Sequence, residues 1–368
     1  MRFTTVLVVL ATMLAMVACN NKKTETKVGP TTEADKPVPS APVTPRMAKE
    51  KAMPVKQLGV NRENILVWMD ATRNDTQRAF DSLDANRKNI GVVSPVLYKL
   101  KDGKVILHEK IGPNTVGDIK YACDKNEPKI KIRPLFGNID ENGAHGDEAV
   151  KILQNPALQK EALTMITKVA SDPNYIGVDI DWEGIPVDKI HLLADFLAKL
   201  APPIHRMGKT VSVVLEAWNV RNEWRQIADV VDFVEFMTYP EHNPGTGPGP
   251  IASLGWSSRN LEMALQVVPR AKLVFCMPLF GYSWIPSAME ITWSDWEKEK
   301  ARNSAKTLMF KRDADGNPST FTSATSEAWY EDAYSINQKM LMAEKYRITQ
   351  FGFWQIGGED PDVWKSLN

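Results

Sequence analysis

The sequence predicts an α/β fold, a (β/α)8 TIM barrel with a small α+β insertion after strand 7, on three observations. Short apolar runs rich in β-forming residues alternate with amphipathic helical stretches from Ile65 onward. Eight such runs can be counted. The 368 residues, 43% of them hydrophobic, are ample for one core of barrel size, about 250 residues.

The strand runs are residues 65–69, 90–94, 129–135, 175–181, 210–216, 233–238, 272–277 and 350–354. Helical periodicity falls between them at 75–86, 117–125, 147–170, 187–200, 222–229, 257–267 and 332–346. In the fourth of these, Ile190, Leu193, Phe196 and Leu197 form a stripe at helical spacing that packs on a sheet. Between the seventh strand and Asp332 lies a connection of about fifty residues, far longer than an ordinary βα loop. It should therefore have structure of its own. Residues 294–302 read as a helix, and 307–311 and 319–322 flank the turn signal Asp313-Ala-Asp-Gly316, so 286–328 is expected to form a small α+β wall beside the barrel mouth.

Ahead of the barrel, residues 1–18 read as a signal peptide, with Arg2 before a short apolar stretch that ends in Met16-Val17-Ala18-Cys19. This ending resembles a bacterial lipobox, which implies cleavage before a lipidated Cys19 and a membrane partnership through the acyl chains. Residues 19–56 are polar, Pro-rich and without apolar periodicity, the composition of a disordered tether before a domain at 57–368. The expected location is the cell envelope, and Asn20 after the lipidated cysteine favours the outer membrane if the cell is Gram-negative. Lys and Arg total 45 against 45 Asp and Glu, so no net field draws the chain to nucleic acid. Cys123 and Cys276, predicted on a helix and a strand, are expected to be buried free thiols.

The chemistry concentrates in Gly177-Val-Asp-Ile-Asp-Trp-Glu183. A period of two sends Asp179, Asp181 and Glu183 to one face of the strand and Ile180 and Trp182 to the other. Clustered carboxyls inside a barrel cannot all ionise cheaply, so at least one pKa should rise, as a general acid at neutral pH requires. Glu183 is furthest along, at the C-terminal end, where barrel enzymes keep their chemistry. No metal, nucleotide or flavin motif is present, and Gly245-Thr-Gly-Pro-Gly249 lacks the context of a phosphate loop. No cofactor is implied.

This strand resembles the Asp-Gly-x-Asp-x-Asp-x-Glu signature of family-18 glycoside hydrolases through Gly177, Asp179, Asp181 and Glu183. Phe236-Met-Thr-Tyr239, the run from Lys272 to Trp284 and Phe351-Gly-Phe-Trp354 are similar to that family's sixth, seventh and eighth strands. Met237-Thr-Tyr-Pro-Glu-His242, Gly247-Pro-Gly-Pro-Ile-Ala-Ser253 and Trp329-Tyr-Glu-Asp-Ala-Tyr-Ser335 resemble its spore-germination, cortex-lytic N-acetylglucosaminidases.

The resemblance implies hydrolysis of β-linked N-acetylhexosamine bonds by substrate-assisted retaining catalysis, in which the substrate's acetamido oxygen is the nucleophile. Glu183 is then the general acid, Asp181 orients the acetamido group, Asp179 holds Asp181 by sharing a proton, and Tyr239 hydrogen-bonds the intermediate. Trp354 is the apolar floor beneath the sugar, with Met237, Trp68, Asn138 and Glu216 as further cleft candidates. Two positions depart from the family pattern: its first Asp is Ile176 here, and the Asp after the sixth-strand Tyr is Pro240. Glu216 and Glu241 are candidates to replace the lost carboxyls. Trp218, Trp256 and Trp284 are loop aromatics of which one is expected to meet sugar. Peptidoglycan or its fragments is the leading substrate; a chitinase and a non-catalytic saccharide-binding lipoprotein are the alternatives.

Overall fold

The computed structural model describes residues 53–367 except 74–75, 141–142, 218–219, 221, 285–288, 296, 298–308 and 323–325. The expected signal peptide, Cys19, the tether up to residue 52 and Trp218 lie outside the described residues. The end of the expected tether is docked, because the Lys56 backbone exchanges hydrogen bonds with the Asn337 side chain at 3.0 and 2.7 Å and Val55 packs on the core.

The described residues form a closed barrel of eight parallel strands, matching the predicted fold class. They are β1 (Ile65–Met69), β2 (Val92–Lys101), β3 (Leu135–Gly137), β4 (Gly177–Asp181), β5 (Thr210–Glu216), β6 (Phe233–Met237), β7 (Leu273–Pro278) and β8 (Phe351–Trp354). Each pairs with its sequence neighbour, and β8 returns to β1 through Ile65 opposite Phe351. Alternate residues such as Val178 and Ile180 on β4 face outward into the apolar layer beneath the helices. Apolar side chains of the opposite set, among them Leu66, Val92 and Val274, fill the barrel's inside.

The helices differ from expectation where proline and local capping intervene. The run 147–170 is two helices, α1 (Gly146–Gln154) and α2 (Pro156–Ala170). Asn155 between them is extended and caps the second with its side chain, and Pro156 at the next position has no N–H to lose. The run 187–200 begins as a 3-10 turn and becomes α3 (Ile190–His205), longer than expected and tolerating Pro202 and Pro203 while Leu193, Phe196, Leu197 and Leu200 stay buried.

Two strands also differ. The run 129–135 is broken at Arg133-Pro134 into Lys131–Ile132 and β3, and Arg133 turns to meet Glu235. β2 runs on to Lys101 and doubles back as Lys104–Leu107. Asp102 and Gly103 at the tip both have positive φ, a tight hairpin written in the sequence as Asp-Gly.

After β7 the insertion builds a five-stranded antiparallel sheet. Its hairpin of Met309–Arg312 with Pro318–Thr322 lies where the turn signal placed it. Phe280–Ser283 and Ser326–Tyr330 also belong to the sheet, so it extends to both sides of residues 286–328. The expected helix at 294–302 falls mostly outside the described residues. Cys123 and Cys276 are buried free thiols.

Candidate active site

β4 enters the barrel by a close approach to β5: a Cβ on Gly177 would sit 2.1 Å from the Thr210 carbonyl oxygen. Asp179 follows with no exposure, Asp181 with 6%, and Glu183 two residues beyond the strand, partly open. Between the last two, Trp182 points the other way and packs on Phe196 of α3 at 4.7 Å. The backbone of Glu183 is clamped. Asn138, just past β3, accepts from the Glu183 N–H and donates to its C=O, both at 2.8 Å. Gly184 then turns with φ of +69°, close enough to Gly146 that a Cβ there would meet the Gly184 oxygen at 2.0 Å.

The three carboxyls occupy different environments. Asp179 accepts from Ser94 Oγ at 2.7 Å, Trp68 Nε1 at 3.0 Å and Ser212 Oγ at 2.7 Å. Asp181 Oδ1 is buried without a partner. Burial first, then the charges of Asp179 and Glu216, push its pKa up to about 8. Glu183 is raised well above the ordinary carboxylate range, chiefly by burial, then by Asp181 and Glu216, whose side chains lie within hydrogen-bonding reach. The Tyr239 hydroxyl is also buried without a partner, and burial holds it neutral. Burial thus favours the protonated forms of Asp181, Glu183 and Tyr239, and all three line one cavity.

That cavity, about 700 Å³, opens at the C-terminal end of the barrel. Asp181, Glu183, Met237, Tyr239, Trp68 and Trp354 all line it. The two indoles tilt against each other at 6.2 Å. Gly352 makes room for Cys276 beside them, since a Cβ there would lie 2.7 Å from Cys276 Sγ, while the Trp68 ring would be in ordinary contact at 3.4 Å. The volume suits a sugar unit and its substituents rather than a whole polymer.

The structure thus brings together Asp179, Asp181, Glu183, Tyr239, Met237, Trp68 and Trp354. Asn138 differs from expectation: it is 2% exposed, its amide is taken by the Glu183 backbone, and it holds the acid rather than facing the cavity. Glu216 stands beside Glu183. Glu241 caps a loop by accepting from Ser253 N at 2.7 Å, so it supplies no carboxyl to the site. Trp256 packs against the outer core and Trp284 against Tyr282.

Sequence reasoning missed Glu235, fully buried on β6 and paired with Arg133 at 2.8 Å; the signal was a lone acid inside Phe233-Val-Glu-Phe-Met237. It also missed the cavity rim, where Arg73 joins Asp70 at 2.9 Å and Glu290 of the insertion at 2.8 Å. Nothing local marks that meeting.

With this geometry in hand, comparison with known proteins is specific. Residues 70–359 match the family described as Glycosyl hydrolases family 18. The glycosylase YvbX of Bacillus subtilis (strain 168) is 23% identical over 287 residues, 73% of this chain and 80% of the relative. The spore cortex-lytic enzyme SleL of Bacillus megaterium QM B1551 superposes with a TM-score of 0.71 at 20% identity, covering 86% of this chain and 76% of that one. A chitinase from Chromobacterium violaceum ATCC 12472 gives 0.70 at 21% identity, covering 82% and 97%.

Proposed function

The chain belongs to glycosyl hydrolase family 18, and from that membership we propose that it cleaves β-linked N-acetylglucosamine bonds in peptidoglycan or its fragments by substrate-assisted retention. The observation that carries this reading is the pair of orphaned polar atoms, Asp181 Oδ1 and the Tyr239 hydroxyl, in residues that line the same cavity as Glu183. Buried polar groups without partners are costly unless a ligand completes them. An acetamido group supplies what both lack.

In the first step the proton of Glu183 passes to the glycosidic oxygen as its bond to the anomeric carbon breaks. The acetamido carbonyl oxygen closes on that carbon, giving an oxazolinium. Asp181 faces the acetamido nitrogen and Tyr239 its oxygen, while Trp354 and Met237 give the sugar an apolar floor. The Glu183 carboxylate then takes a proton from water, whose oxygen opens the ring from the face the leaving group vacated. The β configuration is restored.

Peptidoglycan is favoured over chitin by the sequence likeness to cortical fragment-lytic enzymes of Bacillus together with the lipobox-like motif, which would hold the barrel at the envelope through Cys19. Digestion of peptidoglycan and of N-acetylglucosamine oligomers, followed by product mass spectrometry for wild type and Glu183→Gln, tests the reading. Products from peptidoglycan that disappear with the variant support it. Faster turnover of the oligomers reassigns the substrate to chitin, and no difference between the two proteins on either substrate overturns the chemistry.

A further inference from the structure

Glu235 sits in the middle of β6 with no exposure at all. One oxygen accepts from Arg133 at 2.8 Å, and the other has no donor among the described residues. That carboxyl lies within hydrogen-bonding reach of Asp179 and Ser212. Two acids therefore touch inside the barrel, beneath the Asp181 and Glu183 pair. Arg133 is the cation against them, its guanidinium covered by the Phe233 ring at 5.1 Å. Next to Glu235 stand also Cys276 on β7 and Tyr239 two residues past the end of β6, both held neutral by burial.

One cation and two touching acids in a dry interior favour a single ionised carboxyl and one shared proton. The hydrogen bonds decide where it resides. Asp179 has the Trp68 N–H, which only donates, and two serine hydroxyls directed at it. Three donors stabilise an anion. Glu235 has the Arg133 N–H at one oxygen, and the Ser212 hydroxyl within its reach is already directed at Asp179, the arrangement of a neutral acid whose O–H points at a neighbouring carboxylate.

We propose that Glu235 is the proton-holding partner of Asp179, a positioning residue whose O–H fixes Asp179 as the anion beneath Asp181. An ionised Asp179 disfavours a charge on Asp181, which therefore keeps its own proton until substrate binds. Ile176 packs in the apolar lining of the barrel and brings no acid there, so β6 furnishes the carboxyl that β4 lacks. The functional consequence rests on the reading of Asp181 and Glu183 as the reacting pair; the protonation state does not.

The test compares wild type with Glu235→Gln and Glu235→Leu. The infrared difference spectrum, wild type minus Glu235→Gln at pH 7 in heavy water, should show the carbonyl stretch of a protonated carboxylic acid. Gln retains an N–H for Asp179 and an oxygen for Arg133, so its melting temperature should stay within a few degrees of wild type. It should also rescue most of the activity that Leu loses, about tenfold or more in kcat with KM little changed. A carboxylate band in place of the acid band, or a Gln variant destabilised as by a broken buried ion pair, overturns the proposal. Both readouts are independent of turnover: a wild-type protein that hydrolyses nothing refutes the hydrolase reading and leaves the spectrum to judge Glu235.

Discussion

At the scale of single residues, the site is a stack of acids whose environments push them apart. Asp179 is surrounded by donors, Asp181 by none at one oxygen, and Glu183 by Asp181 and Glu216. The consequence for stability has a definite sign. Asp181 titrates at about 8 in the folded protein against about 3.9 unfolded. Between those values the native state holds a proton the unfolded chain has released, so its contribution to stability falls as pH rises from about 4 to about 8. Asp181→Asn removes the titration. Its melting temperature should exceed that of wild type by a margin that widens from pH 4 to pH 8; a constant or shrinking margin in thermal melts contradicts the assignment. Asp179, Asp181 and Glu183 were legible because alternation along one strand is local. Glu235 was not, because its meaning depends on Asp179 and Arg133, which other parts of the chain bring to it.

At the scale of elements, strands place the acids and their neighbours hold them. Asn138 follows β3 and spends both ends of its amide on Glu183, two residues after β4. Each of these hydrogen bonds is worth about 1 kcal/mol net, more if its loss leaves a buried group unpaired. Asn138→Ala should lower kcat about 10-fold or more, with KM within about threefold, because the acid loses its aim rather than the sugar its contacts. Steady-state kinetics beside a melting curve separate this from unfolding; a pure KM effect would return Asn138 to the role of substrate ligand. The elements themselves were readable from apolar periodicity, since β1 and β5 begin and end where the pattern does. Boundaries failed where a single residue changes the hydrogen bonding: Pro156 starts a new helix, Pro134 interrupts a strand, and Asp102-Gly103 returns β2 on itself.

At the scale of the whole molecule, sequential pairing of parallel strands closes the barrel and gathers at one end side chains from across the chain. Closure was foreseeable from eight runs in alternation; the cavity rim was not, since Arg73 and Glu290 are 217 positions apart and meet through the insertion. The proposed anchor makes a prediction of its own. With the lipidating enzymes present, wild type should fractionate with membranes and Cys19→Ser with the soluble material; membrane association unchanged by the substitution removes the lipid from the account. The central claim, that Glu183 acts as the acid while the substrate's acetamido group attacks, is tested most directly by proton NMR of the first product released from a β-linked N-acetylglucosamine oligosaccharide, wild type beside Glu183→Gln. Wild type should release the β anomer first, and the variant essentially none. An α anomer first, or undiminished hydrolysis by Glu183→Gln, contradicts it.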